Sequence, residues 1–217
     1  MSFGGKSLLE HLRMKGPLKS QLAHSLAVQL QTALQVLHKT AGLLHLDVKP
    51  GNILWCDELA SLQLCDFGMV EPNPCACSPQ STVHSLQSAA RTLPLPRFME
   101  YVTTWYRAPE LWDAKGQAAS LQALLTPAID MWSYGCVVFE AFCGQALMKA
   151  LDHRRSLKNT LAEWCKGYPE LVARKMLRSQ YSSSIILRWA MHLQTCSSLK
   201  ALVLSACAPD AKSRTWT

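Results

Sequence analysis

Eight residues, His45-Leu46-Asp47-Val48-Lys49-Pro50-Gly51-Asn52, constrain this chain most. On its own the stretch reads as a turn, because Pro50-Gly51 breaks any regular element. Yet it packs an acid, a base and an amide into six positions, and its flanks are apolar. Upstream, Leu22, Leu26, Leu30, Ala33, Leu34 and Leu37 recur at helical spacing, and Gly42 follows as a stop signal. That pattern predicts one amphipathic helix over 21–39. Leu43 to Leu46 then reads as a short apolar strand or turn. Downstream, Ile53-Leu54-Trp55 and Leu62 to Cys65 read as two short strands joined by a turn at Asp57-Glu58. Ile129 to Phe142 is apolar enough and long enough for a buried helix. Helices are also expected over Leu161–Leu177 and Ile185–Cys207. Glu71 to Pro96 is rich in Pro, Ser and Thr, shows no period, and reads as a flexible loop. The expected class is mainly α, with a few short strands near the middle and no internal repeat.

Bulk properties narrow the function classes. A length of 217 residues suffices for one domain with a real core. Hydrophobic residues make up 49%, which excludes a disordered composition. No apolar run reaches the roughly 20 residues that span a bilayer, and the first residues lack the pattern of a signal peptide. Nine cysteines without a regular framework suit a reducing compartment. The expectation is a soluble, intracellular protein, cytoplasmic or nuclear. Cys75 and Cys77 have no second cysteine pair to complete a zinc site and read as loop residues. The net charge is +7, but the basic residues are dispersed and no aromatics interleave with them. A solvated basic surface is the better reading than a nucleic-acid site.

The eight residues do not stand alone. Cys65-Asp66-Phe67-Gly68 follows, then Thr103-Thr104-Trp105-Tyr106-Arg107-Ala108-Pro109-Glu110, then Asp130-Met131-Trp132-Ser133-Tyr134-Gly135-Cys136, then Pro209-Asp210-Ala211-Lys212-Ser213-Arg214. Five motifs in this order and spacing resemble the large, C-terminal lobe of eukaryotic protein kinases, over almost the whole chain. Phe3 to Leu9 resembles the hinge and the start of the first large-lobe helix. The resemblance implies one kinase lobe over 1–217, with hinge and first helix at 1–12. It implies an activation segment over 66–110 containing an insert at 71–96 that is expected to be disordered.

The resemblance also implies roles. Asp47 matches the catalytic aspartate that accepts the substrate hydroxyl proton. Lys49 matches the lysine that serine/threonine kinases place against the γ-phosphate. Asn52 and Asp66 match the two magnesium ligands, oxygen donors suited to a hard cation. The implied cofactors are therefore ATP and Mg2+. Leu54 matches the apolar floor beneath the adenine. Six further residues are expected to support the site without touching phosphate. His45 and Phe67 would form a stacked apolar pair, Thr103 would touch the catalytic aspartate and lysine, Glu110 and Arg214 would form a buried ion pair, and Asp130 would hold the catalytic-loop backbone.

Two departures shape the functional expectation. Leu46 stands where the pattern carries an arginine, so it cannot pair with a phosphate on the activation segment. The sequence also contains no G-x-G-x-x-G and no V-A-I-K lysine, and the small lobe is expected to be absent. The implied activity is ATP-dependent phosphoryl transfer to serine and threonine hydroxyls of a protein substrate. The alternative is a non-catalytic, pseudokinase-like scaffold or regulatory module. A missing small lobe would leave an apolar face for a partner to cover.

Overall fold

The computed structural model describes residues 5–74, 104–108, 110–113, 125–147, 197–207 and 211–216. The expected helix over Leu161–Leu177, most of the 71–96 loop and Thr103 lie outside them. So do residues 185–196 of the expected last helix.

Strand β1 (Lys6–Ser7) leads directly into helix α1 (Leu8–Lys15). Ser7 and Glu10 make that start sharp. The Ser7 hydroxyl accepts from the Glu10 backbone N–H at 3.2 Å, and the Glu10 carboxylate accepts from the Ser7 N–H at 3.0 Å. This reciprocal capping box satisfies two donors that a helix start leaves open. Helix α2 (Ser20–Lys39) follows the predicted span within one residue at its start. Its buried residues, Ala23, Leu26, Ala27, Leu30, Leu34 and His38, form one stripe at helical spacing.

The middle of the chain supplies two small antiparallel sheets. In the first, the order is β1, then β3 (Ile53–Cys56), then β4 (Ser61–Leu64). Lys6 opposes Trp55, and Ile53 opposes Leu64. Trp55 and Asp57 stiffen the hairpin, since the indole N–H donates to the Asp57 carboxylate at 2.7 Å. Lys15 donates to the same carboxylate at 2.7 Å and ties α1 to the turn. The second sheet pairs β2 (Leu43–Leu44) with β5 (Glu71–Pro72). The reading of a loop from Glu71 is thus corrected at its first two residues. Two residues carry no periodicity, and the strand exists because Leu43–Leu44 offers a free edge. Burial raises the Glu71 carboxyl above its ordinary value.

Helices α3 (Glu110–Asp113), α4 (Pro127–Cys143) and α5 (Ser197–Ala206) complete the described α-helices. Helix α4 is the spine of the core. Every residue in it except Pro127 and Phe142 is buried, in keeping with its strongly apolar composition. Pro127 occupies the helix start and Gly144 closes the end at φ 80°, where a side chain would be strained. Both α2 and α5 pack on α4. At Gly135 the approach of α5 is so close that a Cβ would lie 2.5 Å from Cys207 Sγ and 3.0 Å from Ala206 Cβ.

Candidate active site

The candidate site is built on the stretch between β2 and β3, and α4 holds it from below. Asp130, in the first turn of α4, is fully buried. One of its carboxylate oxygens accepts from the His45 backbone N–H and from His38 Nε2, each at 2.8 Å. The other accepts from the Leu46 N–H at 2.8 Å. Those contacts hold Leu46 at φ 65°, a left-handed conformation that costs a leucine roughly 1–2 kcal/mol. The Leu46 side chain packs into the core and is 1% exposed. A buried leucine has no means of meeting a charged group on another segment.

With the loop so bent, its polar side chains converge. Lys49 Nζ donates to Asp47 Oδ2 at 2.6 Å. Asn52 Nδ2 donates to the same oxygen and to the Asp47 carbonyl, each at 2.9 Å. Asp47 and Asn52 are buried. His45 is also buried, and its ring bridges two loops. Nδ1 accepts from the Asp47 N–H at 3.3 Å, which places the proton on Nε2, directed at the Cys65 carbonyl 3.2 Å away. The Cys65 N–H in turn donates to the Asn52 carbonyl at 2.9 Å.

Asp66, the next residue, sits at φ 63° and is exposed. Its Oδ1 accepts from the Gly68 N–H at 3.3 Å. Phe67 touches His45, with ring centroids 5.3 Å apart and planes tilted by 51°. Phe67 is itself 50% exposed, so only the His45 side of this ring contact is buried. Leu54 lies half-buried on β3 opposite Ser7 and Gln63.

Glu110 and Arg214 come together although more than a hundred residues separate them. The guanidinium donates to both carboxylate oxygens, at 2.7 and 2.8 Å, and to the Ala128 carbonyl at 2.8 Å. It also lies over the Trp132 ring, 5.1 Å from the centroid. Planar bidentate pairing of this kind is a property of arginine that lysine lacks.

Some contributors escaped the sequence reading. His38 continues the Leu26–Leu30–Leu34 stripe, and a polar residue on a buried stripe signals a buried partner. Tyr106 and Glu140 form a second buried contact, the phenol donating to the carboxylate at 2.5 Å. Burial, reinforced by the Glu140 charge, pushes the Tyr106 hydroxyl far above the ordinary phenol range. No spacing rule links these two positions, and the pairing comes from the tertiary fold.

A small helical core carries buried Asp47 and Asn52 joined by a half-buried Lys49, with an exposed aspartate on the neighbouring loop. The protein kinase domain family model matches residues 2–216, and the chain belongs to that family. Among similar curated proteins, mitogen-activated protein kinase 20 of Arabidopsis thaliana is 34% identical over 156 residues, covering 70% of this chain and 21% of that protein. Ribosomal protein S6 kinase alpha-4 of Mus musculus is 32% identical over 164 residues, covering 75% of this chain and 18% of that protein. Mitogen-activated protein kinase mpkC of Emericella nidulans is 30% identical over 141 residues, covering 63% and 26%. The chain thus spans roughly a fifth to a quarter of the length of these relatives. Its fold is similar to that of Rad53 in a crystal structure with AMP-PNP, with a TM-score of 0.58 and 18% identity, over 98% of this chain and 42% of that one. No helix among the described residues is long and apolar enough to cross a membrane.

Proposed function

We propose that these residues are the catalytic and magnesium-holding part of a serine/threonine protein kinase, in the large lobe of its kinase domain. The reaction is transfer of the ATP γ-phosphoryl group to a protein hydroxyl. The observation that carries this reading is the convergence of Lys49 and Asn52 on one oxygen of a buried, immobilised Asp47. Phosphoryl transfer depends on positioning and charge neutralisation more than on covalent chemistry. Asp47 would orient the acceptor hydroxyl and take its proton. Lys49, a cation beside it, would neutralise charge on the transferred group.

Magnesium fits the donor set. Asn52 turns its amide nitrogen onto Asp47, which assigns its carbonyl oxygen as the end that a cation would use. Asp66 supplies an exposed carboxylate. Both are hard oxygen donors. Among the described residues no group of three or more His, Cys, Asp or Glu is placed to hold a metal. Mg2+ bound mainly by nucleotide phosphates needs only one or two protein ligands. When bound, the ion would offset phosphate charge. Relatives named as mitogen-activated and ribosomal S6 protein kinases support a serine/threonine acceptor.

The test is phosphate incorporation by the full-length polypeptide that carries these residues, wild type against Asp47→Asn. The expected result is a loss of transfer of about 100-fold or more with ATP affinity nearly unchanged, since a base acts mainly in the transition state. Full turnover by the variant would remove Asp47 from the mechanism. No magnesium-dependent stabilisation by ATP in the wild type would favour a non-catalytic scaffold.

A further inference from the structure

Beside Lys49 opens a cleft of about 430 Å3, walled in part by residues of two of the motifs. That volume lies within the range of about 300–1,000 Å3 of ligand-holding pockets. It is formed where α1, the catalytic loop, the Trp105–Tyr106 turn and the end of α4 meet. Leu9, Leu12, Pro50 and Trp105 supply an apolar lining, and the Trp105 side chain is 39% exposed. Gly51 leaves the wall beside Pro50 open. A Cβ there would meet nothing closer than 3.9 Å.

The charges on the lining are unequal in availability. Glu140 is the acidic group among the described lining residues, and it is buried and accepts a short hydrogen bond from the Tyr106 phenol. Lys49 is turned onto Asp47. Arg13, by contrast, is exposed on the last turn of α1. Its charge reaches the Tyr106 hydroxyl, where it opposes the rise caused by burial. The cleft therefore has an apolar floor, an aromatic side wall and a cationic rim.

A hydroxyl presented to Asp47 lies next to this cleft, because Lys49, which donates to Asp47 at 2.6 Å, also lines it. Extended chain advances about 3.3 Å per residue, and Lys49, Pro50 and Gly51 follow Asp47 directly. Side chains one to three residues from the acceptor are therefore within reach of this cleft. Resting on the kinase reading above, we propose that the cleft selects protein substrates carrying an apolar side chain next to an acidic one near the acceptor hydroxyl. The apolar side chain packs against Leu9, Leu12 and Trp105, and the acidic one meets Arg13. Basic neighbours are rejected by the same charge.

The experiment uses full-length protein and labelled serine peptides that carry Leu-Glu, Leu-Lys, Gly-Glu or Gly-Lys at each position up to three residues either side of the acceptor. Fluorescence anisotropy reads binding, and phosphate incorporation is read in parallel. Wild-type protein should bind the best Leu-Glu peptide about fivefold or more tighter than its Leu-Lys counterpart, the scale of one partly exposed charge pair with its reversal. Arg13→Glu should reverse that order, and Arg13→Lys should keep it, which a merely structural arginine would not do. Gly51→Glu, adding an acid to the open wall, should shift preference toward Leu-Lys. Equal binding of all peptides, no binding of any, a wild-type preference for Leu-Lys, or an unchanged order in Arg13→Glu overturns the proposal. Selective binding without phosphate transfer keeps the cleft assignment and rejects the kinase reading. Transfer without selectivity does the reverse.

Discussion

The two loops of the candidate site are held very differently. Residues 45–52 are clamped: Asp130 fixes their backbone at two N–H groups, and Asp47 and Asn52 are buried with charge-assisted partners. The Asp66–Gly68 loop is attached through Cys65 and the His45–Phe67 contact, while Asp66, Phe67 and Gly68 themselves face solvent. Both loops carry one non-glycine residue at positive φ, Leu46 and Asp66. Strain alone therefore does not set rigidity. In the first loop a buried carboxylate makes the strained form the one that satisfies the His45 and Leu46 N–H groups. In the second, among the described residues the Asp66 carboxylate is held by one 3.3 Å contact to the Gly68 N–H. A group that must meet an incoming ion gains from being reachable, and a group that must align a proton transfer gains from being fixed.

The sharpest way to break this contrast is Asp130→Ala. Two buried N–H groups and His38 would lose their acceptor at about 1–3 kcal/mol each. The expected loss is on the order of 3–5 kcal/mol, read from urea unfolding by circular dichroism. A loss under about 1 kcal/mol would mean that the clamp is not what fixes the loop. Next comes Arg214→Met, which leaves Glu110 and the Ala128 carbonyl without their donor. About 3 kcal/mol is expected. Adding Glu110→Leu should recover part of it, as a coupled pair requires, and strict additivity of the two losses would show that they do not act together. A smaller effect belongs to the capping box. The Ser7 hydroxyl and N–H hold the Glu10 carboxylate below its ordinary value of 4.5. A depressed carboxyl contributes stability that is present above the ordinary value and is lost as pH falls through the lower folded one. Thermal midpoints of wild type and Glu10→Gln should therefore differ near about pH 6 and converge near about pH 3. A gap that stays constant would remove the ionised cap from α1. The smallest effect on stability is expected at Asp66→Asn, within about 0.5 kcal/mol as for an exposed site, although magnesium–nucleotide affinity measured by calorimetry should fall. A stability loss above about 1 kcal/mol would show that this loop is clamped after all.

Much of this was legible in the sequence where one element decides its own form. Helix α2 follows from a stripe of leucines, and α4 from a strongly apolar run long enough for a buried helix. The motif order placed Asp47, Lys49, Asn52 and Asp66 as candidates before any geometry. What escaped depends on segments distant in sequence. β5 forms because Leu43–Leu44 needs a partner, and nothing in Glu71-Pro72 announces it. The Tyr106–Glu140 contact needs the Thr104–Tyr106 turn to dock on the end of α4. The exposure of Phe67 depends on which elements lie over it, which no local pattern encodes. His38 is the middle case, since its place on the stripe was readable and its partner was not.

Gly135 has a consequence beyond close packing. Because α5 presses on the backbone there, the spacing of α4 and α5 is set by an atom that is missing, so side-chain size offers no fine adjustment. Helix α5 is itself fastened to the chain end, with the Ser205 hydroxyl 2.8 Å from the Thr215 carbonyl. Thr215 follows Arg214, the residue that grips Glu110. A single added methyl at position 135 would thus be felt as a push along α5 into the Arg214 grip. In mechanical terms the position is a fulcrum: a change too small to alter the core's chemistry is converted into a displacement at an ion pair one to two turns along the same helix.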